Sequence, residues 1–245
     1  MQKLVLVTGG SGGIGKEIVK RLAMENYKVI TCARSIDKLK DLSFELKKKG
    51  NLIYPFQVDL RKEKEIINFF QKINEQFGHI DILVNSAAVG HKAPLCNGST
   101  KLWKEMLDVN ILALCICTRE VMKGLLSSDS DGHIINISSL SGHRLLSEGG
   151  IYEATKFAVN AITESLRREL LATNSNIKVS QISPGLVKTD FHEKYFNNSK
   201  TAKLVYNEFS PLKGSDIAET VFYILSQNKN VQIHDILIRP KDQPL

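Results

Sequence analysis

Short, almost continuously apolar runs recur along the chain at Lys3 to Thr8, Lys28 to Cys32, Leu52 to Asp59, Ile82 to Asn85, His133 to Ser138 and Lys178 to Ser183. Runs of this length, lacking the alternation that a wet face imposes, predict strands buried on both sides of a sheet. Between them apolar positions recur every three or four residues. This predicts amphipathic helices over Gly15 to Asn26, Ile36 to Lys49, Lys62 to Phe77, Thr100 to Leu126 and Ile151 to Thr173. Strand then helix, repeated, requires right-handed crossovers. The expected fold is therefore α/β: a doubly wound parallel sheet flanked by helices on both faces. One stretch breaks the rhythm. Gly185 to Pro211 follows a strand and carries Phe191, Tyr195, Phe196, Tyr206 and Phe209 before helical patterning resumes near Ser215. A segment so long and aromatic suggests a substrate lid over residues 186–211, the alternative being an ordinary helical excursion packed on the body.

Composition narrows this picture. With 245 residues, 42% of them hydrophobic, the chain fills one large core and leaves no room for a second full domain, so residues 1–245 are expected to form a single domain. The net charge of +7 rests on dispersed lysines. Their densest run, Lys47-Lys48-Lys49, falls at a predicted helix end, where cations complement the helix dipole. No basic stripe interleaved with aromatics is present, so no nucleic-acid partner is expected, while the charge suits a phosphorylated cofactor or an anionic substrate. Cys32, Cys96, Cys115 and Cys117 have no metal-type or redox-type spacing, which fits a reducing compartment and no metal. The first apolar run, Leu4 to Val7, is too short for a secretion signal or a membrane span; the expected location is the cytoplasm, with no membrane partner.

The candidate chemistry begins at the first strand, which runs into Thr8-Gly9-Gly10-Ser11-Gly12-Gly13-Ile14-Gly15. Glycines at 9, 13 and 15 permit a tight turn, close approach of backbone to a pyrophosphate, and a helix seated near its strand with its N-terminus toward the anion. The second strand ends Cys32-Ala33-Arg34-Ser35. A dinucleotide lacking a 2′-phosphate needs a carboxylate there for its ribose hydroxyls. Arg34, helped by Ser35, instead suits a 2′-phosphate in a forked contact and points to NADP(H). Asp59 and Leu60 close the third strand, where the carboxylate can accept from adenine; a helix N-cap is the competing role for Asp59. Asn85-Ser86-Ala87-Ala88 closes the fourth strand with small residues against which a cofactor sugar can lie.

Tyr152 and Lys156 stand at i and i+4 in one predicted helix and so share a face. A neighbouring ammonium and an oxidised nicotinamide favour phenolate, so the Tyr152 pKa is expected to fall, suiting it to exchange a proton with a reacting oxygen. Ser139 ends a predicted strand at the carboxyl edge of the sheet, where its hydroxyl can hold that oxygen. Ser138 competes for this role, and a plain turn or capping serine is the bland reading of either.

Together these residues resemble the single-domain branch of the short-chain dehydrogenase/reductase family. The resemblance spans residues 3 to 240 and rests on Thr8 to Gly15 as T-G-x-x-x-G-I-G, Asp59, Asn85 to Ala88, Asn110, Ser139, Tyr152 with Lys156, and Pro184-Gly185 followed by Thr189. It implies a Rossmann-like fold, a homodimer or homotetramer, and a catalytic tetrad of Asn110, Ser139, Tyr152 and Lys156, in which Asn110 helps hold a water that relays protons from Lys156. The cofactor set it implies is Gly9, Ser11, Gly12, Gly13, Ile14, Gly15, Arg34, Ser35, Asp59, Leu60, Asn85, Ala87, Tyr152, Lys156, Pro184, Gly185, Val187 and Thr189. Two departures stand out. The usual N-N-A-G reads Asn85-Ser86-Ala87-Ala88, and the frequent V-D-G-G ending is replaced by Asn230 to Pro240, which resembles NADP-dependent 3-hydroxy acid dehydrogenases and broad-specificity carbonyl reductases. The implied activity is NADP(H)-dependent hydride transfer to or from a small alcohol or carbonyl, with a 3-hydroxy acid as one candidate. The alternatives are a 3-oxoacyl carrier-protein reductase and a non-catalytic NADP(H)-binding sensor or scaffold. Leu140 to Gly150 and Leu186 to Pro211 are expected to line the substrate pocket, with His91, His143, Arg144, His192 and Tyr195 as polar candidates and Arg144 a possible partner for a carboxylate.

Overall fold

The computed structural model describes all residues except 1, 26, 146–149, 174, 209 and 244–245. Seven parallel strands form one sheet in the order β3-β2-β1-β4-β5-β6-β9. They are β1 (Lys3–Thr8), β2 (Tyr27–Ala33), β3 (Ile53–Gln57), β4 (Ile82–Asn85), β5 (His133–Ile137), β6 (Lys178–Pro184) and β9 (Asp235–Ile238). The reversal of strand order between β1 and β4 is the switch point where such sheets open a crevice at their carboxyl ends. Each strand expected from the sequence is present, and the seventh, β9, is an edge strand that the apolar runs did not reveal.

Alternate side chains of β1 leave the sheet on opposite faces and nucleate two cores. Leu4 and Leu6 pack with Ile66, Phe70 and Leu125 on one side. Val5 and Val7 pack with Ile18, Leu22 and Ile217 on the other. All are buried, each contributing about 1.5–3 kcal/mol by leaving water. The covering helices are α1 (Gly13–Ala23), α2 (Ile36–Lys47), α3 (Glu63–Phe77), α4 (Thr100–Leu107), α5 (Leu114–Ser127), α6 (Ile151–Ala172) and α9 (Gly214–Leu225).

Two expectations change. The predicted helix Thr100 to Leu126 is not uniform: a π-helical segment, Asp108–Ala113, joins α4 to α5 and contains Asn110. The described residues of 186–211 are largely helical rather than an irregular loop. They form β7 (Val187–Lys188), α7 (Phe191–Phe196) and α8 (Ser199–Glu208), and β7 pairs in parallel with β8 (Leu212–Lys213), closing the base of the excursion. No helix among the described residues is long and apolar enough to cross a membrane.

Candidate active site

The carboxyl ends of β1 to β6 open on one cleft of about 660 Å³. Its floor is the glycine turn. Gly9 has φ +78°, and a Cβ there would lie 2.9 Å from the Ala87 Cα; a Cβ on Gly15 would lie 2.5 Å from the Gly9 carbonyl oxygen. Any larger side chain would push α1 off β1 and β4. Helix α1 begins here with Gly12 at its N-cap and no side-chain cap, so the dipole's positive end and its first amides remain available to an anion. Ser11, Gly12, Gly13 and Ile14 line the same floor. Beside it the buried Ser86 hydroxyl, which replaces the family's second asparagine, has no hydrogen-bond partner among the described residues.

At one end of the cleft stand Arg34, Ser35, Asp59 and Leu60, with Lys38 from the first turn of α2. Asp59 is not a helix N-cap; that position is Lys62. The Asp59 carboxylate is instead gripped by Arg61, whose Nε and Nη2 donate to it at 2.9 and 2.7 Å, and these bonds hold its pKa below the usual carboxylate value. Asn85 does not reach the cleft: it is buried and donates to Thr118 Oγ1 at 3.1 Å and Asn136 Oδ1 at 2.9 Å, tying β4 to α5 and β5. Ala87 does line it, as do Pro184, Gly185, Val187 and Thr189.

Deeper in, β5 delivers Ser139 and α6 delivers Tyr152 and Lys156. The Ser139 hydroxyl caps the short 3₁₀ turn Leu140–Gly142, accepting the Ser141 N–H at 3.1 Å, and is also hydrogen-bonded to the Tyr152 phenol. Ser138 turns the other way and donates to Asn160 Oδ1 at 2.7 Å. The expected fall in the phenol's pKa is reversed: burial raises it, the Ser139 bond opposes that, and the charges of Tyr195 and Glu153 raise it further. The Lys156 ammonium, 6.0 Å from the ring centroid, is itself buried and directs Nζ to the Ile137 carbonyl at 3.0 Å. Desolvation brings Lys156 down to about 8.

Asn110 lies behind the cleft rather than in it. Its Oδ1 accepts the Val89 N–H and its Nδ2 donates to the Val89 carbonyl, both at 2.8 Å; Nδ2 also donates to Thr155 Oγ1 at 3.0 Å. Thr155 in turn donates to the Tyr152 carbonyl at 2.6 Å. The π-helical segment, a distortion often found at functional sites, thus links the loop after β4 to the turn of α6 that carries Tyr152.

Aromatic rings of α7 cover the phenol. Phe191 and Tyr195 lie 5.3 and 5.9 Å from Tyr152, centroid to centroid. The Tyr195 carbonyl accepts the Lys92 N–H at 2.9 Å, and the Tyr206 hydroxyl both donates to the Thr189 carbonyl, at 2.6 Å, and contacts His192 Nδ1, at 3.0 Å. A Cβ at Gly90 would meet Phe191 at 2.3 Å, so glycine is what admits the ring there.

The other substrate candidates divide. His192 lines the cleft, but Arg144 and His143 do not, and His143 is held 2.8 Å from Ser183 Oγ. His91 lines it 3.0 Å from Glu105 Oε2, at the Arg34 end. Residues 146–149 of the expected substrate loop and Phe209 lie outside the described residues. Phe191, one of the aromatics of the expected pocket segment, lines the cleft; Lys38, Glu105, Val109 and Gln243 also line it and were not expected, and of these only Lys38, four residues after Arg34 and in a helix, left a readable signal. Among the described residues no His/Cys/Asp/Glu group fits a metal ion, and the four cysteines are free thiols.

A parallel sheet of order 3-2-1-4-5-6-9, a glycine turn against its first helix and a serine–tyrosine–lysine group facing that turn define a nucleotide-cleft oxidoreductase architecture. The short chain dehydrogenase family model matches residues 3–200, and the chain belongs to that family. It is 42% identical to human "Dehydrogenase/reductase SDR family member 11", covering 98% of this chain and 95% of that protein. It is 32% identical to "Farnesol dehydrogenase" of Aedes aegypti, covering 97% and 96%. Among solved structures, the closed form of serine dehydrogenase complexed with NADP+ superposes with a TM-score of 0.92 at 31% identity, covering 99% and 96% of the two chains.

Proposed function

We propose that this protein is an NADP(H)-dependent oxidoreductase interconverting a carbonyl and its alcohol, with Tyr152 as acid/base and Ser139 as the second donor to the reacting oxygen. The observation that carries this reading is the hydrogen-bonded pair of Ser139 and Tyr152 inside the cleft that the glycine turn opens. The residues fit the cofactor: the uncapped start of α1 for the pyrophosphate, Arg34 and Lys38 for a 2′-phosphate, and no carboxylate where NAD would need one. The NADP+ in the serine dehydrogenase neighbour supports the same choice. When bound, the nicotinamide supplies or accepts the hydride.

In the reducing direction Ser139 and Tyr152 hold the carbonyl oxygen and Tyr152 protonates it. The Lys156 ammonium steadies the phenolate left behind and donates to cofactor hydroxyls. Asn110 acts through Thr155 and Val89, holding α6 and the loop after β4 in register. Residues 186–211 serve as the lid. The chain works as a homodimer or homotetramer, supported by exposed Leu107, Leu112 and Phe157 on neighbouring helical segments. Free thiols suit the reducing cytoplasm.

The rings of Phe191 and Tyr195 favour an uncharged carbonyl with an apolar flank. A 3-hydroxy acid has less support: Arg144, its expected partner, is not in the cleft lining, and Lys194 is paired with Asp190. Consumption of NADPH and NADH, side by side, with uncharged ketones, 3-oxo acids and acyl thioesters tests all of this. No turnover with any of them leaves the sensor reading; preference for thioesters restores the carrier-protein reductase.

A further inference from the structure

The Arg34 guanidinium already has an anionic partner. Its Nη1 donates to Glu105 Oε1 at 3.3 Å, across the cleft from α4. Arg61 Nη1 donates to the same oxygen at 3.3 Å, and His91 Nε2 lies 3.0 Å from Oε2. Glu105 therefore sits at the centre of this cluster, facing Arg34, Arg61 and His91, while the Asp59 carboxylate is occupied by Arg61. Its side chain is 21% exposed, against 55% for Arg34, so the carboxylate is the more desolvated member of the pair.

Under the cofactor reading above, a 2′-phosphate would approach this same guanidinium. A phosphate monoester carries nearly two negative charges near neutral pH and binds arginine best through two N–H groups at once. Glu105 engages one of those groups and adds a like charge beside the incoming anion. The attraction of Arg34 and Lys38 for the phosphate is thus opposed by a carboxylate that must yield before the fork can form. A nicotinamide dinucleotide without the 2′-phosphate meets no such competition.

We propose that Glu105 is a specificity-determining residue: a built-in rival of the 2′-phosphate for Arg34 that holds NADP(H) affinity, and the preference for NADP(H) over NAD(H), below what the cations alone provide. A carboxylate that merely braces Arg34 for the phosphate predicts the opposite sign.

Calorimetric titration of NADPH and NADH into wild type, Glu105→Gln, Arg34→Ala and the double variant tests the proposal. Gln keeps the shape and an acceptor oxygen while removing the charge. The expected result is a Kd for NADPH about tenfold lower in Glu105→Gln, with the Kd for NADH within about twofold of wild type and so reporting an intact fold. In the Arg34→Ala background the same change gives a clearly smaller gain, about twofold, because the contested guanidinium is gone and only the like charge beside the phosphate is removed. NADPH binding that is unchanged or weakened by Glu105→Gln, or NADH binding that shifts by the same factor, overturns the proposal alone. A wild-type chain that binds neither dinucleotide overturns the cofactor reading, and the proposal with it.

Discussion

The Lys156 ammonium stands 6.0 Å from the centre of the Tyr152 ring and is anchored to the end of β5 by a 3.0 Å bond to the Ile137 carbonyl. Burial affects the two groups in opposite directions, pushing the phenol above its ordinary value and the ammonium down to about 8. The phenol therefore keeps its proton throughout the neutral range, ready to donate, while the lysine loses its charge first. With NADPH and a ketone, kcat/KM should be level from about pH 6 to 7 and fall above about 8, by about tenfold per unit for one required proton. A profile level to pH 10 contradicts this assignment of the lysine.

Tyr152→Phe removes the proton donor but little volume. Turnover should fall by about a thousandfold or more, with NADPH affinity nearly unchanged. Ser139→Ala should cost about 100- to 1000-fold, the loss expected for one donor to a developing oxyanion. Single-turnover rates and separate binding titrations check both, and retained turnover in Tyr152→Phe refutes the acid/base role.

Phe191 touches the phenol ring and lines the cleft. Phe191→Ala should lower kcat/KM for apolar ketones by about 10- to 100-fold and leave NADPH binding as it was. An unchanged substrate ranking would show that the aromatic cover does not select substrate.

His133 is buried on β5, bonded to Ser180 Oγ at 2.9 Å, and its pKa is lowered from 6.5 to about 3 by desolvation and by Lys178 and Lys3. The unfolded chain takes up this proton at higher pH than the folded one, so stability is lost as pH falls from 6.5 toward 3. The slope should approach about 1.4 kcal/mol per pH unit for this group. Urea unfolding of His133→Asn across that range should show a smaller slope than wild type.

Most of the sheet was legible because strands buried on both faces must be apolar throughout, and β1, β4 and β6 announce themselves that way. Strand β9 was not, because an edge strand with alternating exposure carries a weaker pattern. The glycine turn and Arg34 were legible since each follows its strand directly. Lys38 and Glu105 were not recognised: Glu105 meets Arg34 only because α4 returns to the mouth of the cleft, a contact between residues remote in sequence. The side chains of Asn85 and Asn110 are engaged by Thr118, Asn136, Val89 and Thr155, partners remote in sequence that position along the chain does not reveal.

By itself the sequence determined the periodicities, and through them the layered α/β fold; it also set the spacing that puts Tyr152 and Lys156 on one helical face. These are local properties, governed by rise per residue and by which side chains water rejects. Tertiary structure decided the electrostatics. The phenol's pKa rises instead of falling, Arg34 is shared with Glu105, and the aromatic segment is helical and lies on the phenol, because desolvation and partner choice depend on what distant parts of the chain bring within a few ångströms.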